Sequence, residues 1–299
     1  MKIGIGVGGR TVDEVVSQAE RAIADGFDST WIANIFGLDA IMAAAIVGRA
    51  VPGIKIGTAV TPTFPRHPHA LAQQAMTAWD ATGGRFTLGI GLSHQIVIET
   101  MFGLSFDKPA KHMREYLSVL LPLLREGNVS FNGELYRVNA PLERAGDPSG
   151  PEVLLAAMAP VMLRLAGEVA DGTILWMTGP KTIASHVAPK LNAAASNAGR
   201  PAPKIVAALP IAVTNDPDAA RQEANKTFEI YGNLPSYRAM LDAEGAGGPA
   251  DVAIVGDEET VAAGVKTMAE AGVTEFNASC YGDGDTMKRT VQLLKELRA

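Results

Sequence analysis

An amphipathic helical rhythm that stops at glycine and passes at once into an apolar, β-branched run recurs along the chain. It reads Ala22-Ile-Ala-Asp-Gly26-Phe-Asp-Ser-Thr-Trp-Ile early on and Ala81-Thr-Gly-Gly84-Arg-Phe-Thr-Leu-Gly-Ile-Gly91 later in the first half. The second half repeats it as Ala166-Gly-Glu-Val-Ala-Asp-Gly172-Thr-Ile-Leu-Trp and Ala269-Glu-Ala-Gly272-Val-Thr-Glu-Phe-Asn-Ala-Ser. Glycine suits the left-handed residue that closes a helix, and a strand starting within a few residues makes an αβ loop. A pattern repeated this often predicts a wound parallel sheet, with these glycines at the end opposite the site.

Strands are predicted near residues 2–7, 29–33, 54–60, 86–90, 153–157, 173–177, 205–213 and 275–279. Eight parallel strands with intervening helices are the number of a (β/α)8 TIM barrel, and residues 1–299 are expected to form one such α/β domain. Thr11 and Glu14 have capping-box spacing ahead of a helix with Val12, Val15, Val16, Ala19 and Ile23 on one face. Pro210 interrupts the seventh run, and residues 275–280 alternate like a half-exposed strand.

Two insertions break the repeat. After a long helix near residues 110–125, Asn132-Gly133 stands between alternating apolar residues and signals a hairpin, which leads into the Pro- and Gly-rich residues 141–151. Residues 231–249, with their Gly245-Ala-Gly-Gly-Pro run, read as a mobile loop that either covers the substrate mouth or is a plain surface insertion.

Hydrophobic residues make up 47% and charged residues 19%, the balance of a globular protein, and no stretch is long and apolar enough to span a bilayer. The net charge of -6, without a block of Lys and Arg, argues against nucleic acid or an anionic membrane as the main partner and leaves small molecules. The first residues read as a strand rather than a signal peptide, so a soluble cytoplasmic protein is expected. The lone cysteine, Cys280, cannot form an intramolecular disulfide and reads as packing.

Several motifs are matched only superficially or are absent. Gly4-Ile-Gly6-Val-Gly-Gly9 fits the G-x-G-x-x-G dinucleotide pattern, but no completed strand precedes it, so these glycines belong to the first strand itself. There is no Walker A loop, no HExxH, no paired-Cys signature and no Gly-x-Ser-x-Gly. His67, His69, His94, His112 and His186 show no ligand spacing, and no metal site is expected.

The informative stretch is Ile56-Gly-Thr-Ala-Val-Thr61-Pro-Thr-Phe-Pro-Arg-His67-Pro68, an Ala-rich helix with Ala72, Ala75, Met76 and Trp79, and then Gly83-Gly-Arg-Phe-Thr-Leu-Gly-Ile-Gly91-Leu-Ser-His94. This order resembles the bacterial-luciferase-like superfamily of flavin and coenzyme F420 proteins, and within it the F420-dependent branch. Arg164-Leu-Ala-Gly167-Glu-Val-Ala-Asp-Gly172 resembles its later repeat.

The resemblance implies a luciferase-like barrel whose third strand carries a bulge with a non-prolyl cis peptide behind the deazaflavin ring. Matched here, that bond is Ala59-Val60, with Thr61 bonding the ring; the residues alone read as an ordinary strand ended by Pro62. Asn34 matches the polar residue that ends the second strand. Relatives acting on sugar phosphates have Asp then His there, whereas this chain has Asn34 then Ile35. The base for an alcohol proton is thereby lost, which points to reduction of an activated C=C or C=N bond.

His94 stands where relatives place a Glu proton donor, and reads either as the donor or as a surface or capping histidine; Gly91 and Ser93 go with it as cofactor contacts. Ala157, Met158 and Ala159 lead to a helix opened by Pro160, whose free N–H groups suit a cofactor phosphate. Trp176, Met177, Thr178 and Gly179 lie on the adjacent loop, with Trp176 and Met177 equally readable as core. Arg66 and His67 are read as shaping their loop.

The expectation is therefore an F420-dependent oxidoreductase acting on a small organic substrate. FMN as a two-component monooxygenase cofactor, or a barrel without redox activity, are the alternatives. The resemblance also admits a homodimer.

Overall fold

The computed structural model describes residues 1–143 and 149–298. Its strands are β1 (Lys2–Val7), β2 (Ser29–Ile32), β3 (Lys55–Thr58), β4 (Thr61–Pro62), β5 (Phe86–Gly91), β6 (Asn128–Asn132), β7 (Arg137–Pro141), β8 (Glu152–Leu155), β9 (Gly172–Trp176), β10 (Lys204–Val213), β11 (Ile254–Gly256) and β12 (Glu275–Cys280). β1, β2, β3, β5, β8, β9, β10 and β12 pair in that order, every pair parallel, and β12 pairs back onto β1 to close an eight-stranded barrel. β4 resumes β3 beyond a break at residues 59–60, and β11 lies beside the carboxyl end of β10. The strands predicted from the sequence are the barrel strands, to within a few residues.

The helix-glycine-strand passages behave as read. After the helix Val12–Ala24, Gly26 adopts φ 83°; its N–H reaches the Ile23 carbonyl at 2.9 Å and the Phe27 N–H reaches Ala22 at 2.9 Å. Glycine takes this left-handed closure without the cost a Cβ would add.

The barrel interior explains where the glycines of β1, β3 and β5 went. Trp31, Leu154, Ile174 and Val206 fill it, with Ala59, Val60 and Ala156 packed above them. A Cβ on Gly57 would lie 2.4 Å from the Trp31 ring, and one on Gly89 only 1.9 Å from the Thr58 carbonyl oxygen. Gly4 and Gly6 are in-strand positions facing Ser29, Glu275 and Asn277, so the first two glycines of the apparent dinucleotide motif are barrel lining, and the third, Gly9, lies past β1 against Glu14. At the amino end, Ser29 Oγ and Trp31 Nε1 both donate to Glu275 Oε1, at 2.5 and 2.7 Å.

One expectation is overturned and three are refined. Residues 231–249 are largely helical rather than a mobile loop: helices Glu229–Asn233, Pro235–Glu244 and Pro249–Val252 occupy them, with Pro235 and Pro249 in first turns and Gly245 closing the second at φ 84°. The alternation of residues 275–280 marks interior against exterior, because β12 is paired on both sides and its polar Glu275 and Asn277 point into the barrel. Pro210 stays within β10: the Ala208 carbonyl accepts from Met177 on the β9 side, so Pro210 faces the same side past the end of β9, where no ladder bond is lost. The hairpin β6–β7 forms, but its connection is four residues wide, 133–136, because the Glu115 carboxylate accepts the N–H groups of Glu134, Leu135 and Tyr136 at 3.2, 2.7 and 3.0 Å. Of the stretch 141–151, residues 144–148 lie outside the described residues.

Candidate active site at the carboxyl end of the barrel

The chain breaks β3 at a non-prolyl cis peptide between Ala59 and Val60, the bond that the resemblance implied. Thr58 Oγ1 donates to the Gly89 carbonyl at 2.7 Å and accepts the Gly89 N–H at 3.0 Å, which ties the break to β5. Val60 then turns toward the interior, where a Cβ on Gly91 would come within 2.8 Å of it. The next hydroxyl, Thr61 Oγ1, is fully buried and has no hydrogen-bond partner. The indole Nε1 of Trp176, which follows Ile174 on the interior side of β9, is likewise buried without a partner. Buried polar groups are nearly always satisfied; among the described residues six such side-chain atoms are not, and Thr61 Oγ1 and Trp176 Nε1 are the two at the carboxyl ends of the barrel strands.

Asn34, just past β2, is half-buried, and its orientation is fixed by its partners. Its Oδ1 accepts from the Ala40 N–H at 3.1 Å and from Arg66 Nη2 at 3.3 Å. Only an oxygen can accept both, so Nδ2 is left to donate elsewhere. Arg66 also pairs with Asp39 at 2.6 Å, and Asp39 caps the helix Ala40–Ala50 through the N–H groups of Ile41 and Met42. Burial pushes the Asp39 carboxyl up, but its bonds to Met42, Arg66 and Ile41 together with the Arg66 charge outweigh that and hold it below the usual carboxylate range. His67 caps the helix Pro68–Ala81 by accepting the His69 N–H at 3.2 Å, so Arg66 and His67 shape the loop, as read from the sequence.

Beneath residues 63–66 lies a cluster that the sequence did not reveal. His112, 5% exposed, stacks on Phe64 with ring centroids 3.9 Å apart and planes 2° from parallel. Its Nε2 is 3.0 Å from Thr63 Oγ1 and its Nδ1 3.3 Å from the Tyr136 hydroxyl, while Tyr116 donates to the Arg66 carbonyl at 3.0 Å. Burial drives the His112 pKa down to about 4, so the ring is neutral. Its position one turn from Tyr116 on the buried face of the helix Pro109–Glu126 was the available signal.

His94 is half-buried on the loop after β5, its ring 5.4 Å from that of Tyr237; burial lowers its pKa from 6.5. Ser93 beside it and Met177 after β9 both hold left-handed backbone, at φ 62° and 54°, an uncommon conformation for side-chain-bearing residues that collects at ligand sites. Ring contacts continue from Tyr237 to Tyr231 at 5.2 Å and from Tyr231 to Trp176 at 5.6 Å, joining the β5 loop to the β9 end.

Asn34, Ala59, Val60, Thr61, Gly91, Ser93 and His94 thus come together on β2 to β5, and Met158, Ala159, Trp176, Thr178 and Gly179 on β8 and β9. The side chains of Ala157 and Met177 pack into the core outside the barrel, and the Ala157 N–H is spent on Thr173 Oγ1 at 3.3 Å. Ala159 opens the helix Pro160–Val169 without a side-chain cap. At Gly179 the amides are already taken: Lys181 N and Thr182 N donate to the Glu244 carboxylate at 3.1 and 2.7 Å.

A closed parallel α/β barrel with converging polar groups and left-handed residues at its carboxyl end is of the class that binds ligands at that end. The chain belongs to the luciferase-like monooxygenase family, whose model matches residues 2–275. It is 30% identical over 217 residues to a 5,10-methylenetetrahydromethanopterin reductase of Archaeoglobus fulgidus, an overlap of 71% of this chain and 64% of that protein. It is 32% identical over 186 residues, 56% of this chain and 51% of the other, to a Mycobacterium tuberculosis protein named as a coenzyme F420-dependent oxidoreductase. The chain therefore spans less than two thirds of the length of either relative.

Among solved structures, the F420-dependent tetrahydromethanopterin reductase of Methanopyrus kandleri superposes with a TM-score of 0.83 at 21% identity, covering 99% of this chain and 97% of that one. The oxygenating component of a Pseudomonas putida 3,6-diketocamphane monooxygenase, in complex with FMN, gives 0.77 at 17% identity, covering 99% and 96%. At these identities the two superpositions establish the fold.

Proposed function

We propose that the chain is a coenzyme F420-dependent oxidoreductase that moves a hydride between the deazaflavin and a small organic substrate carrying an activated C=C or C=N bond. The observation that carries the reading is the partnerless Thr61 hydroxyl directly after the Ala59–Val60 break, in a chain similar to a protein named as a coenzyme F420-dependent oxidoreductase. Coenzyme F420, when bound, supplies the hydride at C5 of its ring.

The chain's own residues supply position and a proton. Ala59 and Val60 wall one side of the mouth, and Thr61 Oγ1 and Asn34 Nδ2 are the groups free to bond a ring edge. The amides at Ala159 and the start of the Pro160 helix are the uncapped donors for a phosphate, beside Ser93, Met158 and Thr178. His94, in its imidazolium form, would give a ring N–H proton to the substrate atom left negative by hydride addition and would regain it from solvent; burial, which lowers its pKa, makes that form a stronger acid but a scarcer one near neutral pH. An Asn34 that donates cannot serve as the base an alcohol would need, which favours the reductive direction.

The absorbance spectrum of the protein after mixing with F420 or with FMN and removing free cofactor tests this. Retained F420 and oxidation of its reduced form by an enone, imine or quinone are expected. Retained FMN without F420 would overturn the reading in favour of a monooxygenase, and F420 bound without turnover across the panel would favour a non-catalytic barrel. A cytoplasmic location belongs to the same reading, as does a homodimer; among the described residues no helix is long and apolar enough to cross a membrane.

A further inference from the structure

The helix Pro235–Glu244 crosses the barrel mouth and is fixed at both ends by contacts that the fold does not otherwise need. Near its start, Tyr237 packs on His94 of the β5 loop, and Tyr231 of the preceding helix packs on Trp176 at the end of β9. At its last residue, Glu244 reaches the opposite loop and takes two successive amides with one carboxylate, Oε1 from Lys181 and Oε2 from Thr182. Thr182 Oγ1 adds a bond to the Met240 carbonyl at 3.3 Å, and Lys181 Nζ one to the Glu244 carbonyl at 3.4 Å. Gly179 is required for this approach, since a Cβ there would lie 2.3 Å from the Glu244 carboxyl carbon. The first amides of a helical run are natural anion acceptors, and here the chain fills them with its own anion.

The charged side chains of this helix are all turned to such internal partners. Arg238 bonds Asp242 at 2.8 Å and the Gly247 carbonyl at 2.8 Å, and Glu244 is spent on the β9 loop. What the helix and its neighbour place against the mouth is therefore aromatic. Burial, and then the neighbouring Tyr231, pushes the Tyr237 phenol above its ordinary value, so it stays uncharged.

We propose that the helix Pro235–Glu244 is a roof latched by Glu244, and that the uncharged aromatic underside it holds in place, Tyr231 and Tyr237 beside Trp176, selects flat, uncharged substrates. Glu244 is a positioning residue: it touches no reacting atom and acts through where it sets Tyr237. The substrate half of the proposal rests on the oxidoreductase reading above, whereas the latch half does not.

Hydrogen–deuterium exchange on the full-length Glu244→Ala and Glu244→Gln variants, without added cofactor, tests the latch. Residues 229–248 and the amides of Lys181 and Thr182 should exchange about tenfold faster in Glu244→Ala, with Glu244→Gln between it and wild type and the barrel strands unchanged. Calorimetric titration with 2-methyl-1,4-naphthoquinone and with 1,4-naphthoquinone-2-sulfonate, with oxidised F420 present and absent, tests the selection. The neutral quinone should bind about tenfold more tightly to wild type, and the ratio should shrink to about threefold in Glu244→Ala. Unchanged exchange at residues 229–248 in a folded Glu244→Ala variant would overturn the latch, and equal binding of the sulfonate would overturn the selection. Failure of F420 to bind would count against the oxidoreductase reading and leave both of these results interpretable.

Discussion

Acidification from pH 7.5 to pH 4.5 should loosen the segment that follows the Ala59–Val60 break, through one buried imidazole. His112 is held neutral between Phe64, Thr63 and Tyr136, with its pKa lowered from 6.5 to about 4 by burial. An unfolded chain takes up a proton at this histidine as the pH drops through 6.5, and the folded chain only near pH 4. The unfolded state binds more protons over that interval, so stability falls as the pH falls. At pH 4.5 the unfolded ring is about 99% protonated and the folded ring about a quarter, and the ratio of the two binding polynomials gives a loss of about 2.5 kcal/mol. Against a typical total of about 5–15 kcal/mol, that is readily measured.

Other groups titrate over the same range, so the assay is a difference. Urea unfolding of wild type and of His112→Phe, which keeps a ring against Phe64 but cannot take a proton, is followed at the two pH values. Wild type should lose about 2.5 kcal/mol more than the variant between them, and the His112 ring resonances should stay in the neutral form down to about pH 5. Parallel losses in the two proteins, or a His112 titration centred above pH 6, would refute the argument, because either means that the folded ring accepts a proton at little cost.

Three further outcomes follow from single contacts. Gly89→Ala puts a Cβ 1.9 Å from the Thr58 carbonyl oxygen, with backbone on both sides, and should cost about 4 kcal/mol or more in urea unfolding or prevent soluble expression. Cys280, whose thiol burial pushes up to about 12, should resist Ellman's reagent at pH 8 in the native protein and release one equivalent only in denaturant; fast native labelling would show an accessible thiolate. Asn34→Asp keeps the acceptor for Ala40 and Arg66 while replacing the free amide donor by a second oxygen, so its melting temperature should hold while F420 affinity, read by absorbance titration, drops about tenfold; undiminished affinity would mean that Asn34 does not face the ring.

The barrel was legible because its signals are local. Four of the barrel strands are apolar runs opened by a glycine that ends the preceding helix, at Gly26, Gly84, Gly172 and Gly272, and both the run and the glycine can be seen within a dozen residues. The break at Ala59–Val60 was not legible from the residues themselves, which read as an ordinary strand ended by Pro62; only the family resemblance implied it. The roof was misread because its loop-like composition hides two proline-opened helices; Pro235 and Pro249 look like breakers until they are seen in first turns. The partners of Glu244 and His112 were missed for a different reason. Glu244 meets Lys181 and Thr182 more than 60 residues earlier, and His112 meets Thr63 49 residues earlier, and no periodicity reports a contact at that separation.

The same long-range contacts decide which way the site is polarised. Asn34 and Asp39 come from the β2 loop, and Asn34 on its own could present either its oxygen or its nitrogen to the mouth. Arg66 settles it by drawing both oxygens to one guanidinium, and Arg66 is held in turn by the Tyr116 hydroxyl on its carbonyl and by the Phe64–His112 stack two residues before it. The helix Pro109–Glu126 and the hairpin it carries therefore act as a brace under residues 63–67 rather than as a separate decoration. The group left free at Asn34 is a donor, and the brace that fixes it lies under residues 63–67, so on the proposed reading a change in the brace alters recognition without touching any ligand.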